Sequence, residues 1–295
     1  MLRIAAFSVV LICIAAAKGQ VHVPEPAVNL GDTSFLDALG GPGLLVEEIG
    51  DGYHSGTSSV NSISGVTHIA WLSSGGFLKA WYGVEVVGTA AHVNAGGKGS
   101  AGGWGDITIS PLILQWKERK MGQVRMNQRV VFDFDLPAGE YRQASGVNLS
   151  GHAFTVHPYY AITVFPTKYL ESSWRIHYLW NARNNSPSLP AGAQSTQAGQ
   201  AIHFNATVGY ALPHGFWIGA NGYYLTQVAA AQVNGVSLLD SPEQVGAVGP
   251  GIVWHLQHCF LYANGYHEVG AQNRPEGNKL VLRVQWIFGK QPSGN

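Results

Sequence analysis

From Gly43 onward the chain alternates apolar and polar side chains in stretches of roughly 10 to 15 residues, separated by clusters of Gly, Pro, Asn and Ser. The clearest stretch, Lys279 to Phe288, puts Leu280, Leu282, Val284, Trp286 and Phe288 on one face and Lys279, Arg283 and Gln285 on the other. Trp174, Ile176, Tyr178 and Trp180 likewise oppose Arg175, His177 and Asn181, and Val130, Phe132, Phe134 and Leu136 oppose Asp133 and Asp135. Leu78, Ala80, Tyr82, Val84 and Val86 oppose Lys79 and Glu85, while Ile202, Phe204, Ala206, Val208 and Tyr210 oppose His203, Asn205 and Thr207. Neither of these last two stretches carries a helical stripe. The pattern predicts an all-β chain with strands over 43–54, 62–73, 77–92, 104–117, 124–136, 152–165, 172–184, 199–212, 215–230, 243–256, 258–270 and 279–288. That makes about twelve, an even number as in bacterial membrane barrels.

A soluble β-sandwich whose charged face meets water alternates in the same way. Three features favour a membrane barrel. The strands are long enough to cross a bilayer at a tilt, whereas soluble strands average about 5 to 6 residues. Trp71, Trp116, Tyr169, Trp174, Trp180, Trp254 and Trp286 cluster toward strand ends, as interfacial girdles do. The third is an export signal at the N-terminus. In a barrel, an Arg or Lys facing lipid near the midplane costs about 2–4 kcal/mol. The charged faces must therefore point inward, which places Lys79, Glu85, Asp106, Asp133, Asp135, Arg175, His177, Arg283 and Gln285 in a lumen of mixed charge.

The balance of 17 Lys and Arg against 17 Asp and Glu gives a formal net charge of zero and excludes a nucleic-acid partner recruited by charge. Arg3, the apolar run Ile4 to Ala17 and the small residues that follow read as a cleaved signal peptide over 1–19. The run is too short to span a bilayer as a helix, and no later apolar stretch reaches that length. Cleavage removes Cys13 and leaves Cys259 without a partner for an internal disulfide. Residues 20–42, with Pro24, Pro26, Gly31, Gly40, Gly41 and Pro42, have no sustained period and predict an irregular segment able to plug a lumen. The barrel is then expected over 43–288, with a polar tail at 289–295, in a bacterial outer membrane.

Motifs for chemistry are sparse. Gly97, Gly99 and Gly102 satisfy a nucleotide-binding spacing, but a strand rather than a helix follows them. The 12 histidines include no compact metal-ligand pair, so no metal and no cofactor is expected. There is no GxSxG, although a barrel lipase could assemble a Ser and a His from separate strands. Pro250 falls inside a predicted strand, where its missing N–H predicts a bulge or a local opening. Asp106 is expected to bond loop amides or face the lumen.

The segments Gly103-Trp104-Gly105-Asp106, Leu136-Pro137-Ala138-Gly139 and Val248-Gly249-Pro250-Gly251, in this order, resemble the bacterial MetA-pathway phenol-degradation family of outer-membrane transporters. Pro42-Gly43-Leu44-Leu45-Val46-Glu47 resembles that family's opening strand, and Asn273-Arg274-Pro275-Glu276-Gly277 leads into a strand like its last one. The resemblance implies a channel for passive uptake of small hydrophobic or aromatic compounds, with such solutes, membrane lipids, lipopolysaccharide and the barrel-assembly machinery as partners. It brings no catalytic residues. The alternatives are a barrel enzyme acting on outer-membrane lipids and a non-conducting structural or binding barrel.

Overall fold

The structure, a computed structural model, describes residues 22–240 and 242–289. The signal-peptide reading and residues 290–295 lie outside them. Twelve antiparallel strands form one closed barrel: β1 (Gly43–Ser55), β2 (Val60–Phe77), β3 (Ala80–Asn94), β4 (Ser100–Met121), β5 (Val124–Leu136), β6 (Thr155–Val156 continued by Tyr159–Phe165), β7 (Leu170–Asn181), β8 (Gln200–Ala211), β9 (Phe216–Ala229), β10 (Gln244–Leu256), β11 (Cys259–Gln272) and β12 (Asn278–Gly289). Each strand pairs with its sequence neighbours, and β12 closes the ring on β1 from Gly43↔Gly289 to His54↔Asn278. Closure leaves no strand edge unpaired, which a bilayer interior requires.

The two mouths differ. Connections at one end are tight: 78–79, 122–123, 166–169, 212–215 and 257–258. Those at the other include long loops over 137–154, 182–199 and 230–243. Residues 196–197, 232–233 and 236–237 form a small separate sheet among these loops.

Exposure alternates along the strands with the predicted parity. Leu280, Leu282 and Phe288 are more than half exposed, while Lys279 and Arg283 of the same strand are buried. Since the alternation puts charge inside and apolar groups outside, the outer wall is a lipid-facing belt. Trp71, Tyr169, Trp254 and Trp286 are exposed toward the tight-turn rim, and Trp180 toward the long-loop rim. One acid breaks the belt: Glu48 is exposed on the outer face and accepts a hydrogen bond from Thr67 Oγ1 at 3.0 Å.

One expectation needs correcting, and another resolves between its two alternatives. Lys79 does not line the lumen; it is exposed in the two-residue turn between β2 and β3, with Leu78 and Lys79 at φ 51° and 60°. Gly75-Gly76 is the stronger turn signal, but the irregularity it produces is a register shift between Leu72 and Gly76 inside β2. The chain turns two residues later. Pro250 sits on the outer face of β10 without a bulge, because the pairs Val248↔His267 and Gly251↔Asn264 on either side of it keep one register. The pairing with β11 lapses at Gly249 and Pro250, the local opening expected from the missing N–H, and the wall's alignment stays intact.

The assignment of faces predicts unequal effects of changing a charge at two positions. Leu282→Arg, on the lipid side, should cost about 2–4 kcal/mol of folding free energy in bilayers. Lys79→Leu, in the exposed turn, should change stability by less than about 0.5 kcal/mol. Urea titration of barrel insertion, read by loss of the heat-modifiable gel band, measures both.

Candidate functional site

The lumen is polar because every second strand residue faces it, and a buried charge needs a partner. Residues 22–42 supply many of those partners. They enter at the long-loop mouth, where His22 Nε2 lies 2.8 Å from Glu243 Oε1, and leave at the tight-turn mouth by joining β1 at Gly43. Near the entrance Asn181 Nδ2 donates to Glu25 Oε2 at 2.8 Å, and the Glu25 N–H donates to Glu243 Oε1 at 3.2 Å. Burial, with Glu243 alongside, pushes the Glu25 carboxyl well above the ordinary carboxylate range.

Further in, Lys279 Nζ donates to Asp32 Oδ1 at 2.5 Å and to the Leu30 carbonyl at 2.8 Å. Asn205 receives the Gly31 N–H at 2.8 Å and donates to Asn29 Oδ1 and Thr33 Oγ1, both at 2.8 Å. Gly31 has φ 80° and its ideal Cβ would meet the rings of Tyr223 and Tyr266 at 2.9 Å, so glycine lets the segment lie against the wall. Phe35 is fully buried where Gly209 and Gly251 leave room; a Cβ on either glycine would come within 2.8 Å of its ring. Asp37 then meets Arg175 in a bidentate pair, Nε–Oδ2 2.8 Å and Nη2–Oδ1 2.5 Å, with Arg129 Nη2 3.7 Å from Oδ1 and bonded to the Asp37 carbonyl. The Ala38 N–H donates to Thr163 Oγ1 at 3.0 Å and its carbonyl receives Gln115 Nε2 at 3.0 Å.

A second group of charges rings the lumen beside this segment. His68 bridges Glu47 at 3.1 Å and Glu85 at 3.0 Å, and Arg283 lies 3.6 Å from Glu47. Gln285 donates to Glu47 at 3.1 Å, Ser110 bonds both Glu85 and Asp133, and Thr108 donates to Asp135 at 2.6 Å. Between the ring and the segment lies a cavity of about 120 Å³, lined by Val28, Asn29, Asp32, Glu85, Asp135 and His177 among others. A larger recess of about 930 Å³ opens at the tight-turn mouth beside Gly40, Pro42, Trp81 and Lys117.

Of the residues expected inside, Glu85, Asp133, Asp135, Arg175, His177 and Arg283 are buried on the lumen face and Gln285 is half-buried there. Asp106 is placed differently: its carboxylate accepts the Gly139 and Gly151 N–H groups, both at 3.1 Å, and so anchors the 137–154 loop. The sequence reading did not single out Glu47, His68, Arg129 and Lys279 as site residues, nor Asp32 and Asp37 of the segment. The wall residues share the parity of their charged neighbours, which was the available signal. Lumen-facing serines engage carboxylates, Ser64 with Asp51, Ser110 with Asp133 and Ser173 with Glu171.

The family model for the MetA pathway of phenol degradation matches residues 46–284. No curated protein sequence matches the chain. The fold is similar to the crystal structure of an outer membrane channel from Pseudomonas putida F1, at 14% identity, TM-score 0.75, covering 86% of this chain and 98% of that one. The KdgM porin is more distant, at 8% identity and TM-score 0.45 over 83% of this chain and 99% of the porin. Outer membrane phospholipase A from Escherichia coli stands at 10% identity and TM-score 0.44 over 82% of this chain and 92% of that one.

Two predictions follow from the segment's contacts. Asp37→Ala strands Arg175 in a buried site, takes the carboxylate away from Arg129, and should destabilise the protein by about 3–5 kcal/mol, read as a lower urea midpoint in detergent. Because the Glu25 pKa is raised, the folded protein holds that proton more tightly than the unfolded chain. Its stabilising contribution is complete below the ordinary carboxylate range and is lost as pH rises through the Glu25 pKa. A spin label at Ala27 should therefore become more mobile with rising pH, and Glu25→Gln should flatten that dependence.

Proposed function

The chain belongs to the MetA-pathway phenol-degradation family, and from that premise we propose that it is an outer-membrane channel for passive uptake of small hydrophobic or aromatic compounds, gated by residues 22–42. The observation that carries this reading is how the segment is held. It pairs with no strand, and its attachments to the wall are side-chain hydrogen bonds and ion pairs such as Asp32–Lys279 and Asp37–Arg175. Contacts of that kind can be exchanged for water or solute without opening the β ladder, so the gate can move while the barrel stays closed.

Phe35 supports the choice of solute. It fills an apolar pocket together with Leu36, Phe165, Val253, Phe260 and Tyr262. An aromatic solute that displaced Phe35 would find the same walls. The lipid-facing belt and the girdle of aromatic residues support outer-membrane residence, with the tight turns on the periplasmic side as in barrels of this type. No step of such passage requires a cofactor or bond chemistry.

The test is conductance and uptake. In planar bilayers the protein as it exists should conduct weakly, and deletion of residues 22–40 should raise conductance several-fold. In whole cells Phe35→Ala should speed entry of phenol-sized aromatics more than entry of sugars of similar mass. Equal uptake of both classes would remove the aromatic preference, and no conductance increase on deletion would remove the gate.

A further inference from the structure

Three histidines that no ion pair in the segment uses meet inside the wall of β6, β7 and β8. His177 and His203 are directly opposite in the β7–β8 ladder, and His177 also faces Tyr159 across to β6, two residues beyond His157. Their rings lie 4.2 to 5.2 Å apart between centroids, and one nitrogen from each lies within 4.8 Å of the others. All three are buried, at 6%, 2% and 0% exposure. His157 Nε2 and His203 Nε2 share one hydrogen bond of 3.0 Å, yet both ring nitrogens of His177 and Nδ1 of His203 have no partner.

Burying an imidazole with no hydrogen bond is costly, about 1–3 kcal/mol for each unsatisfied group. Three unsatisfied ring nitrogens in one patch, two on His177 and one on His203, suit a role in which lone pairs of the cluster converge on a shared cation. We propose that His157, His177 and His203 form a binding site for a divalent transition metal of the zinc class. Neutral imidazole nitrogens select Zn²⁺, Co²⁺, Ni²⁺ or Cu²⁺ over Mg²⁺ and Ca²⁺, which prefer oxygen.

The geometry is within reach. Tetrahedral metal–nitrogen bonds of about 2.0–2.1 Å set ligand nitrogens about 3.4 Å apart. The 3.0 Å contact between His157 and His203 is already near that spacing, and the nitrogen offered by His177 lies within 4.8 Å of both, on a ring whose χ2 is a broad torsion. Charge is compensated nearby: Asp135 Oδ2 lies 3.6 Å from His157 Nδ1, where a carboxylate orients a ligand ring and raises its basicity. His157 and His177 also line the 120 Å³ cavity. A three-histidine site there leaves a fourth position open to water or to an oxygen donor from a solute.

The experiment uses the full chain purified in detergent, dialysed against chelator, and titrated with Co²⁺ and Zn²⁺. One Co²⁺ per chain with the strong visible d–d absorption of a four-coordinate site is expected, displaced by Zn²⁺. His177→Gln and His203→Gln should abolish that absorption, Asp135→Asn should weaken binding about 10- to 100-fold, and His214→Gln in an exposed turn should leave it unchanged. The heat-modifiable band of each variant verifies its barrel. A weak octahedral spectrum on the unaltered protein, or full binding retained by both His177→Gln and His203→Gln, overturns the site. Since the first readout needs no substitution, a variant that fails to fold does not shield the proposal.

Discussion

Asp37 lies between Arg175 and Arg129, and the lumen is organised around this arrangement. A closed wall that presents apolar groups to lipid must, by strict alternation, present every other residue to its interior. In a twelve-strand barrel that interior is narrow, and charges there are too far from bulk water to stay unpaired. The wall pairs some charges with itself, as His68 does with Glu47 and Glu85. Arg175 takes its carboxylate from residues 22–42, and Lys279 takes its shortest one there, with Asp51 of the wall 3.8 Å away. The polar wall and the irregular segment are thus two halves of one electrostatic solution, and neither sequence makes sense alone.

Apolar packing follows the same division. Phe35 occupies the space left by Gly209 and Gly251, while Gly31 lets the segment approach Tyr223 and Tyr266. Glycine in a strand interior weakens the sheet by itself. At these positions the wall accepts that weakness to admit the segment. Glu48, outside, shows the opposite case: an acid that alternation sends to the lipid side, where Thr67 donates a hydrogen bond to it.

The barrel was legible in the sequence because its signal is local and repeated. Leu280 to Phe288 alternates so cleanly that the lumen position of Arg283 followed from parity alone. Turns were less legible. Leu78 and Lys79 continue an apolar–polar alternation through a turn that neither residue type advertises, while Gly75-Gly76 advertises one that is not there. Pro250 marked a real loss of an N–H, but its consequence depended on whether the neighbouring strands slipped, and they did not. The histidine cluster lay out of reach for another reason. His157, His177 and His203 are far apart in the chain and become neighbours only through the register of three strands, which no spacing rule encodes. Asp32 and Asp37 were equally hidden, since their importance comes from Lys279 and Arg175, residues more than a hundred positions away.

The direction in which the segment runs matters for how the molecule comes together. Residue 22 is at the long-loop mouth, the chain descends to the opposite mouth at Gly43, and β1 climbs back beside it. Segment and first strand therefore make a folded-back tail, and nothing has to be threaded through a finished ring. The tail can lie along the concave face of an open, curling sheet, with Arg175 and Lys279 collecting their partners early. The connectivity leaves the seam between β12 and β1 as a place where the ring can close around a segment already seated.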